Sequence, residues 1–195
     1  MNIIHCAANH RSTSMAAKKL IYPAAERNKD PILSVLRRYI QPGTSQKFLE
    51  ISSGSGQHIA HFAPHFPHVT FYPSENETQL LESIAAHANG FSNVKKPLHI
   101  DITTDYRLWG NGIFSENSID YIYNSNMMHC APYQCSIGLF QNSNIKFNKS
   151  LKSINPDFGL RELRELENLA KENNINLVET IDMPSNNKVV IWTKI

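Results

Sequence analysis

The residues best suited to chemistry form the run Phe48-Leu49-Glu50-Ile51-Ser52-Ser53-Gly54-Ser55-Gly56-Gln57-His58. An apolar stretch carries an acid, and two glycines follow before a segment of helical character. Glycines at a strand-to-helix turn let the backbone approach a ligand closely, and the free N–H groups opening the next helix suit an anion or a polar group. Two more acids stand where neighbouring strands should end, Glu75 and Asp101. A carboxylate placed after the second strand can accept both hydroxyls of a ribose. His58, His61, His65 and His68 are close in sequence, and the first two share a helical face. Pro64 and Pro67 break that face, and no Cys or carboxylate stands at ligand spacing, so no metal site is expected. His129, Cys130 and Cys135 likewise lack the paired spacing of a zinc site.

Elements must be found to hold these groups. Asp30 reads as an N-cap with Pro31 at the first helical position, and Ile32, Leu33, Val35, Leu36, Tyr39 and Ile40 recur at helical spacing until Pro42-Gly43. Strands are expected over Lys47 to Ser52, Val69 to Tyr72, Leu98 to Ile102 and Ile119 to Asn124. Helices are expected over Gln57 to Ala63, over Glu77 to Ala88 with Leu80, Leu81, Ile84, Ala85 and Ala88 on one face, and from Pro132 to Phe140. Repeated strand, turn, helix, strand units imply right-handed crossovers and a parallel sheet with helices on both faces, an α/β fold of Rossmann-like type. Residues 141–158 are polar and support at most one helix. Leu160, Leu163, Leu166, Leu169 and Ala170 then form a helical stripe, and strands at Asn176 to Met183 and Lys188 to Ile195 flank a turn containing Asn186 and Asn187, so the sheet is expected to end antiparallel.

Composition bounds the classes. The chain has 195 residues, 41% of them apolar, and a formal charge of +2 without a run of basic residues. That suits one domain and favours a small molecule or a protein side chain over nucleic acid as partner. No apolar stretch approaches the roughly 20 residues that span a bilayer, so no membrane partner is expected. Three unpatterned cysteines, with no secretory signal ahead of them, point to reduced thiols in the cytoplasm or nucleus. The first acid is Glu26, and an acid-free stretch holding Arg11, Lys18 and Lys19 overlaps in composition with a mitochondrial targeting leader. Residues 1–21 are read as a disordered leader and 22–195 as the domain; the oligomeric state is not legible.

Two cofactor classes use a turn of this kind. A dinucleotide fingerprint beginning at Gly54 needs Gly or Ala at position 59, where Ile59 stands, so NAD is disfavoured. The segment resembles instead the acid-x-G-x-G-x-G pattern of class I S-adenosylmethionine-dependent methyltransferases, as Glu50, Ser52, Gly54 and Gly56, with Ser52 in place of the first glycine. That resemblance implies S-adenosylmethionine as cofactor, Glu75 on its ribose and Asp101 on its adenine amino group. Longer blocks at Ala24 to Leu33, Ser53 to His58, Asn155 to Arg161 and Asp182 to Lys188 look like those of the methyltransferase-like protein 26 family, over Tyr22 to Ile195. The family's predicted fold is the class I methyltransferase three-layer sandwich, and its substrate is not established. The resemblance further implies an N-terminal segment closing over the cofactor, here Arg27 and Asn28 just before the first helix. It also places an acceptor pocket after strand four, here Asn124, Asn126 and His129, with His129 as a general base for a protonated acceptor. Asn186 and Asn187 should reach the same edge.

One departure stands out. Family members pass from the helix ending near Phe140 into a turn, a fifth strand and a Gly-rich loop, whereas here Gln141 leads almost directly to the later segment Ser143-Asn144-Ile145. A central strand buries on the order of five apolar side chains at roughly 1.5 to 3 kcal/mol each, comparable to the net stability of a whole domain, about 5 to 15 kcal/mol. The chain is therefore expected either to slide its C-terminal hairpin against strand four or to leave the sheet incomplete. An S-adenosylmethionine-dependent methyltransferase is the first functional reading. A non-catalytic variant of that fold is the second, and an NAD(P)-dependent oxidoreductase the third.

Overall fold

The computed structural model describes residues 19–142, 163–184 and 187–195. The expected leader up to residue 18, the polar stretch after Asn142, the block at Asn155 to Arg161, Leu160 and Asn186 lie outside the described residues. Element order is α1 (Pro23–Tyr39), β1 (Gln46–Ile51), α2 (Gln57–Phe62), β2 (Val69–Glu75), α3 (Leu81–Ala88), β3 (Leu98–His99), β4 (Tyr121–Asn124), α4 (Met127–Cys130), α5 (Tyr133–Asn142), α6 (Leu163–Glu172), β5 (Ile175–Met183) and β6 (Asn187–Lys194). Four parallel strands form one sheet in the order β3-β2-β1-β4, and β5 with β6 forms a separate antiparallel sheet. The expected α/β architecture is present. Among the described residues the parallel sheet has four strands and the hairpin does not pair with it, so the expectation of one sheet ending antiparallel is corrected to a parallel sheet with a separate antiparallel hairpin.

Alternation along β1 explains both faces. Phe48 points with Phe71, Ile59 and Phe62 toward α1 and α2, whereas Leu49 and Ile51 point with Ile100, Ile102, Trp109, Met127 and Leu139 toward the opposite face. Glu50 shares the side of Phe48, because successive residues of a strand alternate. A third cluster, Ile137, Phe140, Leu166, Leu169, Ala170 and Ile175, joins α5 to α6 and the hairpin, with Trp192 edge-on to Phe140 at 5.4 Å. The hairpin is tied to α1 by Glu179, which accepts from Arg38 and from the Tyr39 hydroxyl.

Several boundaries move, each for a local reason. The first helix begins at Pro23, not Asp30, with Pro23 at its first position and Glu26 in its first turn. Pro31 lies inside it and removes a hydrogen bond at about 3 kcal/mol, offset by burial of Ile32, Leu33 and Val35. Asp30 is no cap; its carboxylate lies 2.8 Å from His61 Nε2. Arg27 and Asn28 consequently sit within α1 rather than before it. Strand β2 runs through Pro73 to Glu75, three residues past expectation, because Ser74 donates to Ser53 Oγ and to the Glu50 carbonyl across the strands. Strand β3 stops at His99 because Asp101 accepts from both the backbone N–H and the hydroxyl of Thr103 and turns the chain. The helix expected from Glu77 starts as a 3-10 turn at Thr78–Leu80, and Ser83 and Ile84 are its buried residues while Ala85 is exposed. Strand β4 begins at Tyr121, since Asp120 meets Lys47 through its carboxylate as well as its backbone. The segment expected to be a loop after β4 forms α4, which contains His129.

Candidate functional site

The carboxyl ends of β1 and β2 converge on the glycine turn. Ser52 at φ +56°, Gly54 at +57° and Gly56 at +93° all lie in the left-handed region, which reverses the chain between β1 and α2. Gly56 has a second reason to be glycine: a Cβ built on it would lie 2.7 Å from Ile84 Cα, so the turn packs directly on the backbone of α3. Ser52 keeps a side chain in a conformation that costs an L-residue about 1 to 2 kcal/mol.

Glu75 binds this turn together. One of its oxygens accepts from Gly54 N–H at 2.9 Å, and the other from Asn76 N–H at 2.8 Å and Glu77 N–H at 3.3 Å. Beside it, Glu50 is 1% exposed, and its Oε2 has no hydrogen-bond partner among the described residues. Burial pushes the Glu50 carboxyl up to about 8, with Glu75 raising it further and a hydrogen bond to Ser53 lowering it. The structure thus brings together Glu50, Ser52, Gly54, Gly56 and Glu75. Asp101 follows Ile100, whose N–H donates to the Glu75 carbonyl, so it lies at the same edge, with one carboxylate oxygen committed to Thr103.

Residues that the sequence did not single out complete the surroundings. Gln57, 5% exposed, accepts from Tyr22 N–H and the Ser55 hydroxyl and donates to Glu26. Ser83 donates to the Ser55 carbonyl and accepts from Leu20 N–H, while His87 bonds the Leu20 carbonyl. Residues 20–22 thereby cross the turn, and the Tyr22 ring would lie 3.5 Å from a Cβ on Gly54. Their signal in the sequence is weak: a polar residue at a buried helical position looks like any surface polar residue until its neighbour is known. His58 is a buried imidazole whose Nδ1 lies 3.2 Å from the Tyr123 hydroxyl, with Nε2 unpartnered among the described residues. Burial lowers it to about 4, so it is neutral near pH 7. Burial also raises Tyr123 well above the usual phenol range.

The remaining expected residues are dispersed. Arg27 is exposed on α1, whereas Asn28 is buried with its Oδ1 unpartnered among the described residues. Asn124 ends β4 with a buried Nδ2 likewise unpartnered, on the face of Ile51 and therefore opposite Glu50. Asn126 is the N-cap residue of α4 at φ +64°. His129 lies in α4, and its side chain is outside the described residues. Asn187 donates to the Pro184 carbonyl, which is local turn chemistry. A cavity of about 110 Å3 lined by Leu49, Trp109, Phe114, Ile119 and Ile122 lies on the face opposite Glu50, away from the glycine turn. Among the described residues no group of three His, Cys, Asp or Glu is placed to hold a metal ion, and no helix is long and apolar enough to cross a membrane.

Solved structures resemble this arrangement. A S-adenosylmethionine-dependent methyltransferase from Aquifex aeolicus superposes with a TM-score of 0.63 at 15% identity, over 90% of this chain and 95% of that one. The mitomycin 7-O-methyltransferase MmcR gives 0.61 at 10% identity, over 85% and 53%. Phosphoethanolamine N-methyltransferase 2 of Haemonchus contortus, solved with S-adenosylhomocysteine, gives 0.54 at 17% identity, over 78% and 38%. The chain spans about half or less of the latter two. Similarity at this level establishes the fold alone, a Rossmann-like α/β architecture shared with these methyltransferases. A family profile described as a protein of unknown function, DUF938, matches residues 19–143 and 141–194, two pieces that meet at the expected internal deletion. The match takes in nearly all of the chain beyond its first 18 residues, and the protein belongs to the DUF938 family.

Proposed function

We propose that this chain binds S-adenosylmethionine at the glycine turn and belongs to a methyltransferase lineage, with sequence blocks similar to those of the methyltransferase-like protein 26 family. The observation that carries the reading is the pair of acids at the turn. Glu75 is fixed by three N–H groups at the end of β2, and Glu50 presents beside it a buried oxygen that has no partner among the described residues. A buried acceptor without a partner is costly unless a ligand supplies one. When bound, S-adenosylmethionine supplies an electrophilic methyl group on a sulfonium. The chain's own residues would then position it: Glu75 toward the ribose hydroxyls, Asp101 toward the adenine amino group, and Gly54 and Gly56 by close backbone approach. Asn28 and the exposed Arg27 would border the donor, with Asn124, Asn126 and His129 on the acceptor side and Asn186 and Asn187 at the hairpin turn. The acceptor is read as a small molecule or a protein side chain, as with the relatives named for small-molecule substrates. The compartment is read as cytoplasm or nucleus, with the mitochondrion as the alternative that an acid-free leader would support.

A second reading, a non-catalytic cofactor-binding variant, is favoured by one observation: among the described residues no strand pairs with β4 beyond β1. A nicotinamide cofactor fits less well, because Ile59 is fully buried in the core where a dinucleotide turn needs a small residue. Isothermal titration separates the three. S-adenosylmethionine and S-adenosylhomocysteine should give heat that Gly54→Val and Glu75→Ala abolish, and NADH should give none. Heat with NADH alone would overturn the proposal. Binding without methyl transfer, set against transfer by a form carrying the additional strand, would select the non-catalytic variant.

A further inference from the structure

The two acids at the end of β1 and β2 differ in a way that reading does not use. Glu75 has both oxygens occupied by N–H donors and reaches the surface at 7% exposure. Glu50 is 1% exposed, keeps Oε2 unpartnered among the described residues, and stands opposite Pro73, two residues before Glu75 on the same side of β2, in strands that Ser53 and Ser74 lock in register. Two adjacent buried carboxyls cannot both be charged without a cation between or beside them. Among the described residues the groups around Glu50 supply none. Glu75 comes from β2, Tyr123 from β4 with its hydroxyl neutral, and His58 from α2 with its imidazole neutral. On α1, Lys29 bonds Glu26, which is also engaged by Gln57, and the buried residue of that turn is the uncharged Asn28.

We propose that Glu50 stands protonated in the free protein and gives up its proton when the cationic end of the ligand arrives, so that cofactor binding is coupled to proton release. This rests on the cofactor reading above. The exchange balances: the Glu50 O–H bond breaks, the proton passes to solvent or buffer, and the resulting carboxylate is compensated by the ligand's positive charge. The chain thereby selects ligands by charge. A nucleoside thioether with an ammonium group carries the compensating cation, and one without it leaves the acid neutral.

Isothermal titration with S-adenosylhomocysteine at pH 6.5 to 7.5, in buffers of different ionisation enthalpy, reads the protons directly. Release of close to one proton per site is expected, with affinity rising about tenfold per pH unit over pH 6 to 7.5. 5′-Methylthioadenosine, which lacks the ammonium, should bind more weakly and release none. Glu50→Gln keeps the shape of the neutral acid, so it should stay folded by circular dichroism and bind without proton release or pH dependence. Heat with no buffer dependence in the unaltered protein would overturn this inference and leave the cofactor reading intact. Absence of heat from both nucleosides would overturn the reading on which it rests, and unchanged proton release in Glu50→Gln would assign the proton elsewhere.

Discussion

Glu50 on β1 and His58 on α2 are both held neutral by burial, but their effects on stability have opposite signs. The folded-state value of Glu50 is about 8, above an ordinary carboxyl, so its favourable contribution is complete in acid and is lost as pH rises toward 8. His58 is lowered to about 4, so its contribution is complete above about 6.5 and is lost as pH falls toward 4. Between about 4.5 and 6.5 the two slopes cancel; from 6.5 to 8 Glu50 alone acts, and stability should fall by about 2 kcal/mol. Denaturant midpoints taken across that interval should decline in the unaltered protein and stay level in Glu50→Gln; an equal decline in both would assign it to another group. Ser52 offers a second residue-level test. Its left-handed conformation suggests that Ser52→Gly stabilises the protein by about 0.5 to 1 kcal/mol, the strain relieved less the entropy of a freer unfolded chain. The acids and glycines of this turn were legible because their types and spacing are themselves the chemistry. Gln57, Ser83 and the Tyr22 strap were not, because burial of a polar side chain is decided by what packs on it.

At the level of elements, the turn and α3 define each other. A methyl at Gly56 would meet the backbone of Ile84, whereas Gly43 has the same sign of φ and open space around it. Gly43→Ala should therefore cost about 1 kcal/mol and Gly56→Ala about 2 to 4 kcal/mol, the difference measuring overpacking rather than backbone strain. Equal losses in thermal denaturation would show that the close approach contributes nothing. The same contact explains what was readable. Strands β1 and β2 were found within a few residues because apolar alternation marks them, and α2 because Gly54 to Gly56 opens it. Pro31 misplaced the start of α1: proline after an acid signals a first turn, and only the burial of Ile32, Leu33 and Val35 against the sheet makes a proline inside the helix tolerable. The length of β3 was overestimated for a similar reason, since the side chain of Asp101 ends a run that looked apolar enough to continue.

For the whole molecule, the decisive feature is a parallel sheet in which, among the described residues, no strand lies beyond β4. β4 pairs with β1 on one side, and among the described residues nothing pairs with its other edge, while Ile122 is 38% exposed. Hydrogen exchange should find the β4 amides that point away from β1 exchanging far faster than those of β1, and calorimetry should give an unfolding enthalpy below the roughly 0.7 kcal/mol per residue of an intact domain. A fully protected β4 and a normal enthalpy would mean that the edge is covered. That a strand could be wanting was legible from the junction after Gln141, but not which of the two outcomes would follow; that the hairpin would form a sheet of its own, pinned by Glu179 to α1, required the packing of Met183 and Val189 against the core of α1 and β1. The donor half of the fold, β1 to β3 with α2 and α3, is nevertheless in place, and it carries the central claim. The most direct test follows the backbone amide signals of Ser53 to Gln57 by nuclear magnetic resonance as S-adenosylhomocysteine is added. The account predicts saturable shifts centred on Gly54 to Gly56 and on Asn76, abolished in Glu75→Ala. Signals that stay unmoved at the turn, or shifts confined to the cavity beside Trp109, would contradict it.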